Sequence, residues 1–136
     1  MREDMIELAH AHAAAEGSGD LEATLRTLEP DPVYELQPEG RVLRGMDAVR
    51  RYYQHFFNNF QPLVEGYEMR SEWISNEGVG QEYIIHLRLP DGRKENHAII
   101  GILLFGKTGL AGERLWASER LLRLMMGPVY ESATAI

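Results

Sequence analysis

The sequence contains no cysteine, which excludes disulfides, thiolate nucleophiles and cysteine-held zinc or iron–sulfur centres. It also lacks any apolar run near the roughly 20 residues that a membrane helix needs, so no membrane partner is expected. Its opening residues, MREDMIELAH, are charged and have neither the apolar stretch nor the small-residue cleavage site of a secretory leader. A cytoplasmic location is the resulting expectation. Positive charge is scarce and dispersed, with 14 Lys and Arg against 21 Asp and Glu and a net charge of −7. That field has the wrong sign for a phosphate backbone, so nucleic acid is not an expected partner. There is no internal repeat, Gly-rich phosphate loop, nucleophile elbow or HExxH pair.

The 136 residues, 44% hydrophobic and 26% charged, suit one globular domain with a single core. Met5, Leu8, Ala9 and His12 fall at helical spacing and predict an amphipathic helix over 3–16, ended by Gly17-Ser18-Gly19. Asp20 is placed to cap a second short helix through Leu28, which Pro30-Asp31-Pro32 should end. A strand is predicted over 33–37, then a turn at Pro38-Glu39-Gly40, then a helix over 47–60 with an aromatic face. From Leu63 the period becomes strand-like, with runs near 63–75, 78–89, 95–105 and 110–119. Helices followed by an antiparallel meander define an α+β class. A helical turn at 121–126 would close a single domain over 1–127, leaving 128–136 as a frayed tail.

Two histidines stand on the arms of EYIIHLRLPDGRKENHAIIG, residues 82–101. Asp91-Gly92 is a two-residue hairpin signal, and a turn of that length would set His86 opposite His97. Pairing Phe105 with Leu110 in the next hairpin would then give three rows: His86–His97–Ser118, Ile84–Ile99–Trp116 and Glu82–Gly101–Arg114. In the last row the missing side chain of Gly101 would let Glu82 and Arg114 meet. His10 and His12, two apart on a helix, point in different directions and make no metal clip. A metal held by His86, His97 and Glu82 is conceivable in chemical type, but no metal is expected.

The order of elements resembles the nuclear transport factor 2 superfamily, which includes ketosteroid isomerases and SnoaL-like polyketide cyclases. The likeness rests on the helix ending in Gly19-Asp20-Leu21, on YELQPEGRVLRG at 34–45 and on GERLWASERLLRLMMG at 112–127. It implies a cone: a curved antiparallel sheet wrapped by three N-terminal helices, with a pocket on the concave face and a habit of pairing through the sheet. His12 corresponds to the isomerases' oxyanion-donating tyrosine. The isomerase acids correspond to Leu36 or Gln37 and to Gly101, and the cyclase acid to Ser118, none of them acidic here. The resemblance therefore implies the fold without either specific reaction.

The functional expectation is a cofactor-independent acid–base enzyme, a lyase, isomerase, dehydratase or cyclase, acting on a small apolar aromatic or carbonyl-bearing molecule. His97 and His86 are the expected acid–base pair and Glu82 the nearest carboxylate, either a base or a brace against Arg114. His12, Tyr34 and Tyr53 would offer hydrogen bonds to a substrate oxygen, as Tyr52 also could. Trp116 would form a wall, and Ser118 would orient His97. The partners expected are a small-molecule substrate and a second copy in a homodimer. The alternative is a non-catalytic ligand-binding or dimerisation domain of the same fold.

Overall fold

The computed structural model describes residues 2–136. Two helices open the chain, α1 (Arg2–Ser18) and α2 (Leu21–Arg26), followed by β1 (Leu28–Gln37), β2 (Arg41–Arg44) and α3 (Met46–His55). A π turn over Phe56–Phe60 and a 3-10 turn over Gln61–Leu63 lead into the meander β3 (Val64–Ile74), β4 (Gly78–Arg88), β5 (Lys94–Phe105) and β6 (Leu110–Trp116). Helix α4 (Glu119–Met126), a 3-10 stretch and the short β7 (Thr134–Ala135) end the chain. The strands form one seven-stranded sheet in the order β3-β4-β5-β6-β1-β2-β7. It is curved, open and largely antiparallel, and the helices fill its concave side, as expected. The exception is β1, which runs parallel to β6.

Local chemistry explains most of these elements. The Asp20 side chain accepts from the Ala23 amide at 3.0 Å and so caps α2. Strand β1 starts earlier than proline content suggested: Pro30 and Pro32 lie inside it, where the pairing with β6 is irregular between Leu28 and Val33. Proline is tolerated at such a break because no ladder donor is required there. On α3, Val49, Tyr52 and Tyr53 are buried and continue into Phe56 and Phe60, forming an aromatic layer under the sheet. The last residues do not fray. Val129 and Tyr130 are buried, the Arg41 and Arg123 guanidiniums lie 4.8 and 4.5 Å from the Tyr130 ring centroid, and β7 pairs with β2.

The rows expected across β4, β5 and β6 do not form. His86 lies opposite Asn96, and His97 lies opposite Ile85. The cause is Pro90. A two-residue Asp-Gly turn would make residue 90 the closing donor, and proline has no N–H. The loop instead takes three residues, Pro90-Asp91-Gly92, closed by the Leu89 amide on the Arg93 carbonyl at 2.8 Å. Gly92 sits at φ +89°, the left-handed conformation that three-residue hairpins need. In the next hairpin Phe105 does pair with Leu110, but a bulge follows, so Leu104 faces Gly112 and Ile100 faces Trp116. Each strand is thereby offset by one residue from the expected row, and a one-residue shift turns side chains to the other face.

Glu82, Ile84 and His86 consequently share the outer face with Ile100, Arg114 and Trp116. Gln81, Tyr83, Ile85, Ile99, Gly101, Leu103, Glu113 and Leu115 look inward. Gly112 makes the bulge possible. Its φ is +144°, and an added Cβ would stand 1.8 Å from the Val33 carbonyl oxygen. Gly112→Ala should therefore cost more than about 3 kcal/mol of stability through strain and loss of the β1–β6 pairing, read as a fall in the urea midpoint; a change under about 0.5 kcal/mol would show that the bulge is dispensable.

Candidate active site

The concave face and α1 enclose a cavity of about 200 Å³ whose lining includes Tyr52, Phe56, Tyr67, Tyr83, Ile85, Ile99, Leu103 and Met125. At one place the apolar wall is interrupted. His12 and Glu16, one turn apart on α1, meet Glu113 from β6, with one ligand-type atom from each within 4.8 Å of the others. Gly101, beside Glu113 on the neighbouring strand, supplies the room, since a Cβ there would come within 2.5 Å of Glu113 Oε2. No lysine or arginine lines the cavity among the described residues.

His12 is almost wholly buried, at 1% exposure, and its hydrogen bonds set its tautomer. The Thr27 hydroxyl donates to the Thr24 carbonyl at 2.7 Å, so its remaining role toward His12 Nδ1, also at 2.7 Å, is to accept. Neutral His12 thus carries its proton on Nδ1 and presents the Nε2 lone pair. Tyr53 Oη lies 3.0 Å from Nε2, and Tyr34 Oη lies 2.6 Å from Tyr53 Oη. The resulting chain runs one way: Tyr34 donates to Tyr53, Tyr53 to His12, His12 to Thr27 and Thr27 to the main chain. Burial pushes the Tyr34, Tyr52 and Tyr53 hydroxyls well above their ordinary range, which keeps them protonated as donors. Glu16 Oε2 stands 3.5 Å from His12 Nε2.

Glu113 is a perturbed acid. Burial first, and the neighbouring Glu16 charge second, raise its carboxyl well above the ordinary value. It is half-buried by surface because the cavity opens onto it. Across the cavity Tyr83 donates to Gln81 Oε1 at 2.6 Å, and Gln81 Nε2 donates to Glu72 at 2.6 Å. The three-residue cluster has the donor types of a cation site, although Tyr53 already occupies the lone pair of His12.

The structure keeps the other expected residues apart. His86 hydrogen-bonds to Asn96 at 2.7 Å and approaches Glu68 at 3.4 Å on the outer side; the Asn96 bond, then Glu68, raises its pKa. His97 bonds to Glu95 at 2.8 Å, and Arg120 grips the same carboxylate at 2.9 Å from Nε. That grip, with His97 second, lowers Glu95 to about 2 and ties β5 to α4. Arg114 reaches Glu35 at 3.5 Å rather than Glu82. Trp116 is 45% exposed on the outer face, and Ser118 caps α4 by accepting from the Leu121 amide. Of the expected donors, His12, Tyr34 and Tyr53 do come together. Glu16 and Glu113 were missed. The spacing of Glu16 from His12, four residues on one helix face, was an available signal; Glu113 depended on the bulge.

An α+β cone with an apolar cavity on its concave face and polar groups from α1 and β6 is the class this architecture defines. The chain belongs to the SnoaL-like domain family, whose pattern matches residues 9–95. No curated protein matches. Among solved structures it is similar to an NTF-2 like protein of unknown function from Burkholderia xenovorans, at 23% identity over 87% of this chain and 86% of that one, with a TM-score of 0.64. It is also similar to SalBIII, an epoxide hydrolase/cyclase-like enzyme in pyran ring formation in polyether salinomycin, at 14% identity over 87% and 93%, with a TM-score of 0.69. A protein from Mesorhizobium loti described as a SnoaL-like polyketide cyclase matches at 17% identity over 81% and 96%, with a TM-score of 0.63. At these identities the likeness establishes the fold.

The raised Glu113 acid makes stability depend on pH. A carboxyl whose pKa is higher folded than unfolded burdens the folded state once pH exceeds the unfolded value, here 4.5, and the burden grows until the folded pKa is passed. Glu113→Gln should raise Tm at pH 8 by about 3–5 °C, of order 1 kcal/mol, and the gain should vanish near pH 4. Equal gains at both pH values would show that charge is not the cause.

Proposed function

We propose that the protein is a cofactor-independent acid–base enzyme for a small apolar, ring-containing molecule with oxygen at its reacting centre. The observation that carries this reading is the meeting of Glu113, Glu16 and His12 in an aromatic cavity without a cation. A carboxyl raised by burial and by a second carboxyl beside it is a frequent arrangement for a general acid. Glu113, held protonated by its surroundings, donates to the substrate oxygen that gains negative charge. The Glu16 carboxylate takes the proton that leaves carbon or a hydroxyl. His12, fixed by Thr27 and Tyr53, stands 3.5 Å from Glu16 and limits where its carboxylate can lie. Tyr52 lines the cavity and offers its hydroxyl to a substrate oxygen. Proton transfer of this type supports lyase, isomerase, dehydratase and cyclase chemistry alike. The pyran ring formation in which SalBIII takes part is compatible with it, because ring closure needs an acid at one oxygen and a base at another.

A second reading is supported by the outer face. Trp73 and Trp116 are 40% and 45% exposed there, and such a face suits a homodimer of a non-catalytic binding domain. A screen of aryl carbonyl and polyketide-like compounds by thermal shift, followed by turnover of the hits, separates the two. Glu113→Gln and Glu16→Gln should each lower kcat by about 10²–10⁴, while His86→Ala and His97→Ala leave it within a few fold. Ligands that bind without turnover by any variant would favour the binding domain, and full activity in both glutamine variants would remove the acid–base assignment.

A further inference from the structure

The hydrogen-bond inventory of the cavity restricts what it can hold. Proton after proton along its wall is committed within the protein. Tyr53 donates to His12 and Tyr34 to Tyr53, Tyr83 donates to Gln81, and Gln81 donates to Glu72. Gln61, which approaches the Tyr67 hydroxyl, donates its amide to the Glu16 carbonyl. What faces the cavity as acceptors is therefore the Glu16 carboxylate and the Tyr83 oxygen, while the Glu113 carboxyl, raised by its burial and by Glu16, faces it as a donor. The Glu113 carboxyl receives no hydrogen bond from any described residue, and Gly101 leaves it uncovered. A polar group left without a partner at a cavity wall is costly unless its occupant supplies one. The Tyr52 hydroxyl is a further donor, since it lines the cavity with no protein hydrogen bond among the described residues.

Charge narrows the choice further. Among the described residues, the ionisable acids and bases on the wall besides tyrosine are two glutamates and one histidine. A carboxylate or phosphate entering that space would lose its hydration opposite like charge, with no lysine or arginine to replace the water. A ketone or ether could accept from Tyr52 but has nothing to give Glu16. An ammonium could satisfy Glu16 and rest on the aromatic rings, but cannot accept from Tyr52 or Glu113. A hydroxyl does both.

We infer that the ligand is a neutral, hydroxyl-bearing aryl or ring-sized apolar molecule, and that the cavity discriminates against its carboxylate and amine counterparts. This rests on the acid–base reading of the same cavity and adds the polarity of its substrate. Four compounds of nearly one shape test it by thermal shift and calorimetry: 1-phenylethane-1,2-diol, acetophenone, mandelate and 2-amino-1-phenylethanol. The diol should bind at least tenfold more tightly than each of the others, with Glu113→Gln and Tyr52→Phe each reducing that margin. Equal or tighter binding of mandelate or acetophenone would overturn the inference while leaving the acid–base reading intact, provided Glu113→Gln still abolishes turnover of whatever substrate the screen finds. Tighter binding of the amino alcohol would replace the hydroxyl ligand with a cationic one. Failure of all four to bind, together with full activity of Glu113→Gln, would remove both proposals.

Discussion

A missing N–H at Pro90 governs the geometry of this protein. Because residue 90 cannot close a two-residue turn, the loop takes Gly92 as well, and β5 meets β4 one residue away from the pairing that Asp91-Gly92 would otherwise give. That offset, repeated by the bulge ahead of Gly112, puts Tyr83, Ile85, Ile99 and Leu115 together on the inner face. The apolar lining and the location of Glu113 both depend on these two departures from regular pairing. A strand alternates its faces residue by residue, so an error of one is as large as any error can be.

Within the cavity the controlling quantity is electrostatic. Two carboxyl groups held close together in an apolar space cannot both ionise cheaply. Burial and the Glu16 charge resolve the conflict at Glu113 by favouring its protonated form. The tyrosine–histidine–threonine chain is the complementary device, since it fixes the orientation of a histidine ring in the same place. Both features are built from elements that the core holds rigidly: α1 through Ala9 and His12, α3 through Tyr52 and Tyr53, and β6 through Leu115.

Much of the fold was legible from residue chemistry. The Asp20 cap, the aromatic side of α3, the meander and the resemblance to cone-shaped relatives all lead to the observed architecture, and His12, Tyr34 and Tyr53 emerge together. The rest was hidden for a specific reason. The reading of His86, His97, Ser118, Glu82 and Arg114 as a shared surface relied on turn length, where Pro90 was the contrary signal, and on an uninterrupted β5–β6 ladder. A bulge at Ala111 leaves no mark in local composition, and only the demand of Gly112 for its positive φ accounts for it. Glu113 could not be distinguished from an outward-facing acid until that bulge was known. The prolines of β1 misled in the same manner, because they sit at an interruption of pairing that sequence alone reads as the end of an element.

The final residues do more than finish the chain. By laying Thr134 and Ala135 beside β2, with Val129 and Tyr130 anchored in the core, the protein covers the edge of its own sheet on the side where the strands are shortest. The opposite border, β3, is long and carries Glu65, Glu68, Arg70 and Glu72, charges of the kind that discourage another strand from joining. The two borders are thus kept from polymerising by different means, one by self-templating closure and one by electrostatic guarding. A curved, open sheet can in this way remain open without offering itself as a seed for aggregation.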